Sequence, residues 1–117
     1  DPSLYLVGLC GSAMVAAAGE AGLKFAGEAF ADRGYGNDGR LVSRREHGAV
    51  LGDPEVVAER MVRMVRDGEV TTVDGAVISI DPKTVCVHGD TPGAVELLRA
   101  IRGRLEKEKI GVKSFNG

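Results

Sequence analysis

The residues best placed to do chemistry lie in segment 85–94, where an apolar strand is predicted to run through a polar turn into a helix. His88 ends the strand, and a histidine can act near neutral pH as a base, an acid or a metal ligand. Asp90 follows two residues later, and Thr91 is placed to cap a helix that begins at Pro92. The free N–H groups of that helix start would attract an anion. Taken alone, the same residues also fit a simple helix cap and a core histidine.

A second polar turn follows the strand predicted over residues 24–31. Asp32 offers a carboxylate, Arg33 a guanidinium that could bind a carboxylate or phosphate in a bidentate manner, and Tyr35 a phenol. A surface ion pair of Arg33 with Asp32 or Glu28 accounts for the arginine equally well. Glu28 and Asp32 share parity along the strand, so both side chains are predicted to point to one face. An acidic residue in an otherwise apolar strand needs a partner or a purpose.

A long polar segment, residues 32–52, follows this strand and contains five glycines. Loops of this length inside compact domains are uncommon and often functional. Arg44 lies within it beside Arg45 and Glu46, where a solvated run of charges explains it better than a site does.

Alternating strands and helices must position these turns. Apolar runs predict strands over residues 4–9, 24–31 and 84–88, and Asp74-Gly75 between two β-branched runs predicts a hairpin with a two-residue turn. Helices are predicted over residues 13–21, from the N-cap Asp53 to Asp67, and over residues 92–107. The residues expected to face inward are Val57, Met61, Met64 and Val65 in the second helix, and Val95, Leu98, Ile101 and Leu105 in the third.

This order of elements predicts one α/β domain over residues 1–117 with a mainly parallel sheet. Ligands of such folds bind beyond the carboxyl ends of the strands, which selects the turns at residues 9–12, 32–35 and 88–91. Three strands cannot close a barrel by themselves, so we expect this chain to form part of a larger structure.

Composition narrows the function classes. The 117 residues are 44% hydrophobic and 27% charged with a formal net charge of -2, which is typical of a globular protein. The 15 basic residues are scattered among 17 acidic ones, so neither a nucleic acid nor an anionic membrane is expected as a partner. No apolar run approaches the ~20 residues that span a bilayer. We therefore expect a soluble, cytoplasmic protein.

Several segments, taken together and in order, resemble the LamB/YcsF family. They are Phe-Ala-Asp-Arg-Gly-Tyr at 30–35, Asp-Gly-Arg-Leu-Val-Ser-Arg at 38–44, Gly-Ala-Val-Leu at 48–51 and Val-Cys-Val-His-Gly-Asp-Thr-Pro-Gly-Ala at 85–94. The resemblance runs from about Leu4 to Gly111 and matches the C-terminal half of the family. Ser43 and His47 stand where the family usually has proline, and Ala13 stands where an acidic residue is common.

This resemblance implies the A subunit of an ATP-dependent 5-oxoprolinase, which opens the 5-oxoproline lactam to L-glutamate together with subunits B and C. It implies an incomplete seven-stranded β/α barrel related to deacetylases and glycosidases, with ATP as cofactor and a divalent metal as an option. Without the N-terminal half, or a second copy that replaces it, we expect the 117-residue piece to be inactive. The site residues assigned on this basis are His88, Asp90 and Asp32 as catalytic groups, and Arg33, Tyr35, Arg44, Thr91 and Glu28 as substrate- or phosphate-binding groups.

Two other interpretations stay open at this point. One is a metal-dependent amide hydrolase of the deacetylase type, to which His88 and Asp90 would contribute ligands. The other is a non-catalytic structural half-barrel whose polar turns are only caps.

Overall fold

A parallel three-stranded sheet organises the chain. A computed structural model describes residues 3–89 and 92–114. The elements are, in order, β1 (Tyr5–Leu9), α1 (Met14–Glu20), β2 (Lys24–Phe30), α2 (Pro54–Arg66), β3 (Glu69–Thr71), β4 (Val77–Ser79), β5 (Thr84–Cys86) and α3 (Ala94–Lys107). The sheet has the order β1-β2-β5 with both pairings parallel, and β3 and β4 form a separate antiparallel hairpin. The predicted α/β class with parallel β/α units is confirmed.

The register of the sheet determines which residues emerge together at its carboxyl edge. Phe30, the last residue of β2, lies opposite Cys86, the last residue of β5. Because both strands run in the same direction, residues two positions further along each chain also lie side by side. These are Asp32 and His88, which are separated by 56 positions in the sequence.

Helices α2 and α3 pack against each other and, through Ala31, Val85 and Val87, against the ends of β2 and β5 to form the main core. Helix α2 begins as predicted, since the Asp53 carboxylate accepts the N–H groups of Glu55 and Val56 and Pro54 occupies the first turn. Val65 was expected to face inward, but it is 45% exposed and Val62 is buried instead. The buried residues of this core are Ala31, Val57, Ala58, Met61, Val62, Leu97, Ile101 and Leu105.

Helix α3 presents a slightly different face to the core than its apolar pattern suggested. Ile101 and Leu105 are buried as predicted, but Leu97 is buried and its neighbour Leu98 is exposed. Val95 is also exposed. Adjacent leucines at 97 and 98 leave the inward face ambiguous in the sequence, and packing against α2 resolves it toward Leu97.

The start of α3 also differs from the prediction. The helix begins at Ala94, with Gly93 at the N-cap in the left-handed region (φ 83°) and no side-chain cap bond. Pro92 therefore precedes the helix instead of opening it. The predicted cap, Thr91, lies outside the described residues.

The hairpin turn has three residues where two were predicted. Thr72 donates its N–H to the Ala76 carbonyl (2.7 Å), so the pairing of β3 with β4 extends to these two residues. Val73, Asp74 and Gly75 form the loop, and Gly75 has φ 88°, a left-handed conformation that glycine adopts without strain. An αL glycine closing a three-residue loop is the next most common hairpin after the two-residue turn.

Candidate functional site

The centre of the candidate site is a hydrogen-bonded pair formed by Asp32 and His88. Oδ2 of Asp32 accepts the backbone N–H of His88 at 3.0 Å. The ring atom Nδ1 of His88 lies 3.0 Å from Oδ1 and 3.2 Å from Oδ2 of the same carboxylate. The Asp32 side chain is 1% exposed and that of His88 is 23% exposed, so the carboxylate is buried behind the imidazole.

This geometry fixes the tautomer of the neutral imidazole. An ionised carboxylate can only accept hydrogen bonds, so Nδ1 of His88 must carry the hydrogen. The other ring nitrogen, Nε2, is then left with a lone pair that can accept a proton or bind a cation. A buried carboxylate on Nδ1 also keeps the imidazole in this orientation. A general base with an orienting carboxylate has this same arrangement of hydrogen bonds.

An aromatic ring holds the plane of the imidazole. The rings of Phe30 and His88 are stacked, with centroids 5.7 Å apart and an interplanar angle of 16°. Phe30 shares parity with Glu28 and Asp32 along the strand, so all three point to the same face of the sheet. Phe30 was not among the site residues predicted from the sequence, although that parity was the signal for it.

Tyr35 does not reach this face. It is completely buried in a second core cluster, and its hydroxyl accepts the backbone N–H of Phe30 at 3.1 Å. Burial raises the pKa of Tyr35 to about 12. The expected substrate-binding role of Tyr35 is corrected to a structural one, because its polar atom is already bonded within the core.

The side chain of Arg33 likewise forms its hydrogen bonds within the protein. Its Nε donates to the Ala49 carbonyl (3.1 Å) and its Nη2 to the Val42 carbonyl (3.0 Å). These bonds tie the turn after β2 to the long loop. Bidentate binding of an anion through the same two donors would require breaking both, so the expected phosphate-binding role does not fit this geometry. The alternative of a surface ion pair with Asp32 or Glu28 does not describe these contacts either.

The remaining predicted residues are placed as follows. Glu28 is half-buried on the same face of β2 as Asp32. Burial, followed by the negative charges of Glu28 and Asp32, raises the pKa of the Cys86 thiol, so this cysteine is not an activated nucleophile. Arg44 is exposed in the long loop. Asp90 and Thr91 lie outside the described residues.

A second residue that sequence reasoning missed is Arg60 of α2. Its guanidinium donates to the carbonyls of Ala31 and Arg33, which flank Asp32. Arg60 lies three residues after Val57 and four before Met64, on the inward stripe of the helix. A charged residue on an apolar stripe was the available signal.

The described residues do not form a metal site by themselves. Within residues 3–89 and 92–114, no three His, Cys, Asp or Glu side chains lie close enough to bind one ion. A neutral His88 could contribute one ligand through Nε2, with Asp32 as the hydrogen-bond partner of its other nitrogen. The donor set is thus too small for a divalent metal. With Nε and Nη2 of Arg33 occupied, these two donors are not available to bind a phosphate in a bidentate manner.

A cleft of about 1290 Å³ lies on the other face of the sheet. It runs between the start of α1 and the β3–β4 hairpin, and Cys10, Ser12, Gly27 and Lys83 are among the residues that line it. Because Gly27 and Glu28 are consecutive in a strand, this cleft is on the face opposite to Asp32 and His88. The cleft is therefore separate from the candidate site, whatever its size.

The parallel β/α units define an α/β protein, and the Asp32–His88 pair, its candidate site, lies where two parallel strands end. Across the part that the structure describes, no helix has the length and apolar character needed to cross a membrane. The family model described as the LamB/YcsF family matches residues 1–117, so the chain belongs to that family. The resemblance found in the sequence is confirmed.

Relatives with names and a solved structure support the same assignment. The chain is 50% identical over 115 residues to a 5-oxoprolinase A subunit of Agrobacterium fabrum, covering 98% of this chain and 45% of that protein. It is 54% identical over 115 residues to the 5-oxoprolinase A subunit of Natranaerobius thermophilus, again covering 98% and 45%. The crystal structure of a lactam utilization protein from Thermus thermophilus superposes with a TM-score of 0.89 and 39% identity, covering 97% of this chain and 44% of that one. The chain thus spans less than half the length of the relatives it matches.

Proposed function

We propose that this chain supplies one wall of the active site in the A subunit of a 5-oxoprolinase, which opens the lactam ring of 5-oxoproline to give L-glutamate. Relatives of about 50% identity are named for that activity, and a solved relative is named for lactam utilisation. The single observation that carries the proposal is the Asp32 carboxylate, buried and bonded to both the backbone N–H and Nδ1 of His88. A residue that serves only as a strand end has no need of an imidazole oriented in this way by a buried carboxylate.

The reaction needs proton transfer in both directions, and His88 can provide it. Opening the lactam forms a bond between a water oxygen and the ring carbonyl carbon and breaks the bond from that carbon to the ring nitrogen. Nε2 of His88 takes a proton from the attacking water and then delivers a proton to the departing nitrogen. Asp32 keeps the imidazole oriented and stabilises its charged form between these steps. Phe30 holds the ring plane through its stacking contact.

The remaining parts of the site belong to the rest of the assembly in this proposal. The chain corresponds to the C-terminal half of an incomplete seven-stranded barrel, and the other half, or a second copy, forms the opposite wall. ATP, a divalent ion and subunits B and C complete the site together with that opposite wall. The 117-residue piece is then inactive alone, and the complete enzyme works in the cytoplasm.

The two histidines of this chain allow a matched test. His88→Ala is expected to lower 5-oxoproline consumption by the complete enzyme about 10²–10⁴-fold, the usual contribution of a general base. His47→Ala is the control, because His47 is exposed in the long loop and is expected to leave turnover unchanged. Asp32→Asn places an amide beside Nδ1, so that the imidazole favours the wrong tautomer, and a loss of about 10²-fold or more is expected.

Normal turnover in the His88→Ala enzyme would show that His88 is not the general base. It would favour the interpretation of the chain as a structural half-barrel. Loss of turnover in both the His88 and His47 variants would point to general damage instead of a specific role for the pair. Folding of each variant is checked by circular dichroism, so that lost turnover is not mistaken for lost structure.

A further inference from the structure

Arg60 occupies an unusual position for a cation. It lies on the inward stripe of α2, between turns that bury Val57, Met61 and Met64 in the core. Its side chain is half-buried, and burial lowers the pKa of its guanidinium, a shift that Tyr35 and then Asp32 oppose. Burying a charge costs free energy unless its hydrogen bonds are satisfied, so this placement requires an explanation.

The contacts of Arg60 explain where its hydrogen bonds go. Nη1 donates to the Ala31 carbonyl, and Nη2 donates to the Arg33 carbonyl at 2.9 Å. The carbonyl between them, that of Asp32, accepts the N–H of Leu51 at 2.9 Å. Three successive carbonyls are therefore held, two of them by one planar guanidinium.

This arrangement constrains the backbone that carries the Asp32 carboxylate. Asp32 follows the end of β2, so the sheet no longer fixes its backbone from both sides. A planar fork on the two flanking peptides restricts rotation about the Asp32 backbone, which in turn aims the carboxylate at His88. A lysine could not do the same, because its single ammonium lacks the rigid geometry of two parallel donors.

We propose that Arg60 is a positioning residue for the Asp32–His88 pair, acting through the two peptide carbonyls on either side of Asp32. This inference rests on the proposed function only for its catalytic consequence. The geometric claim concerns the imidazole itself and is tested without turnover. The competing explanation is that Arg60 merely anchors α2 to the sheet.

The test compares two arginines of the same helix in the 117-residue chain. Arg60→Gln removes the fork, whereas Arg63→Gln removes an arginine that bonds to Glu69 and Thr71 on the hairpin. The imidazole ¹⁵N chemical shifts report the tautomer of His88, and hydrogen exchange reports the bond from its backbone N–H to Asp32. Both variants are made in a His47→Ala background, so that His88 provides the single imidazole signal.

For Arg60→Gln we expect the ¹⁵N shifts to move from a single Nδ1–H tautomer toward a mixture, and exchange of the His88 N–H to speed up at least tenfold. Arg63→Gln should leave both unchanged even where it lowers the melting temperature similarly. Arg60→Lys should give intermediate values, and it serves as the readout if the glutamine variant fails to fold. Wild-type ¹⁵N shifts and exchange in a folded Arg60 variant would overturn the proposal and leave Arg60 as an anchor.

The complete enzyme separates this inference from the proposed function. If the inference holds, Arg60→Gln lowers kcat with little change in KM, and the pH profile of turnover shifts. If the proposed function is wrong, His88→Ala keeps normal turnover whatever Arg60 does. If the role of Arg60 alone is wrong, His88→Ala abolishes turnover while Arg60→Gln leaves kcat, the pH profile and the His88 signals unaltered.

Discussion

The carboxyl end of β2 and the β1–α1 end of the chain are built in different ways. After β2, the carbonyls of residues 31–33 all accept hydrogen bonds, and both oxygens of the Asp32 side chain contact His88. At the other end, helix α1 has seven residues, buries only Ala18 and has no side-chain bond at its N-cap. Large apolar side chains there are substantially exposed, among them Leu4, Val7, Met14 and Val15.

This difference indicates that the turn around Asp32 is held by more contacts than the β1–α1 end. Around Asp32 the polar contacts come from α2, from the long loop and from the end of β5, so three separate parts of the sequence converge on one turn. The β1–α1 end is held mainly by backbone pairing along one edge of β2. We therefore expect substitutions near Asp32 to lower the free energy of unfolding far more than comparable substitutions near β1.

The largest effect is expected for Asp32→Ala. It removes a buried charged acceptor and leaves both N–H donors of His88 without their partner, at a cost of about 3 kcal/mol. Asp38→Ala is the control, because Asp38 is exposed in the long loop, and its loss should cost less than about 1 kcal/mol. Urea unfolding of the two variants measures the difference. Equal losses would mean that the Asp32–His88 contact contributes little to the fold.

A matched pair of valines extends the comparison to apolar packing. Val57 is fully buried between α2 and α3, and Val57→Ala should lower the free energy of unfolding by about 2 kcal/mol. Val7 of β1 is 40% exposed, and Val7→Ala should cost less than about 0.5 kcal/mol. Similar losses in the two variants would contradict the contrast between the two ends.

Many features of the fold and of the candidate site could be predicted from the sequence because they depend on local chemistry. Asp53 followed by Pro54 identifies a helix start without knowledge of the fold. The strand-end rule placed Asp32 and His88 at one edge of a parallel sheet, and the structure brings them into contact. This prediction was possible because the apolar runs that identify the strands in the sequence are the same runs that form the parallel sheet.

Other features could not be predicted because they depend on tertiary contacts. The carbonyls of Val42 and Ala49 that bind Arg33 carry no signature in the sequence. An arginine followed by a glycine and a tyrosine fits a binding loop and a structural turn equally well. The burial of Tyr35 likewise depends on how the long loop folds back under the hairpin.

A smaller effect is expected for Tyr35→Phe, which leaves the N–H of Phe30 without an acceptor and should cost about 1–2 kcal/mol at neutral pH. The pKa of Tyr35 is raised from 10.0 to about 12, so the folded chain holds the phenolic proton more tightly than the unfolded chain does. Its contribution is complete below pH 10 and is lost as the pH rises toward 12. The difference in stability between wild type and Tyr35→Phe should therefore shrink over this range in alkaline unfolding experiments. A difference that stays constant with pH would show that the phenol is not held in the core as described.

The smallest effect concerns the ion pairs that join α2 to the end of α3. Arg66 and Arg104 contact the Glu108 carboxylate at 2.8 and 3.3 Å and lower its pKa below the ordinary value of 4.5. A lowered pKa means that the contribution is present above pH 4.5 and is lost as the pH falls through the folded-state value. Because these groups are on the surface, the effect is small and is screened by salt.

Glu108→Gln should reduce the acid sensitivity of the melting temperature at low ionic strength and have no effect in about 1 M salt, where surface charges are screened. Glu106→Gln on the same turn is the control and should leave the acid sensitivity unchanged. If Glu108→Gln flattened the acid profile equally at both salt concentrations, the carboxylate would be acting through buried contacts. The expected difference between an exposed carboxylate such as Glu108 and the buried carboxylate of Asp32 would then be contradicted.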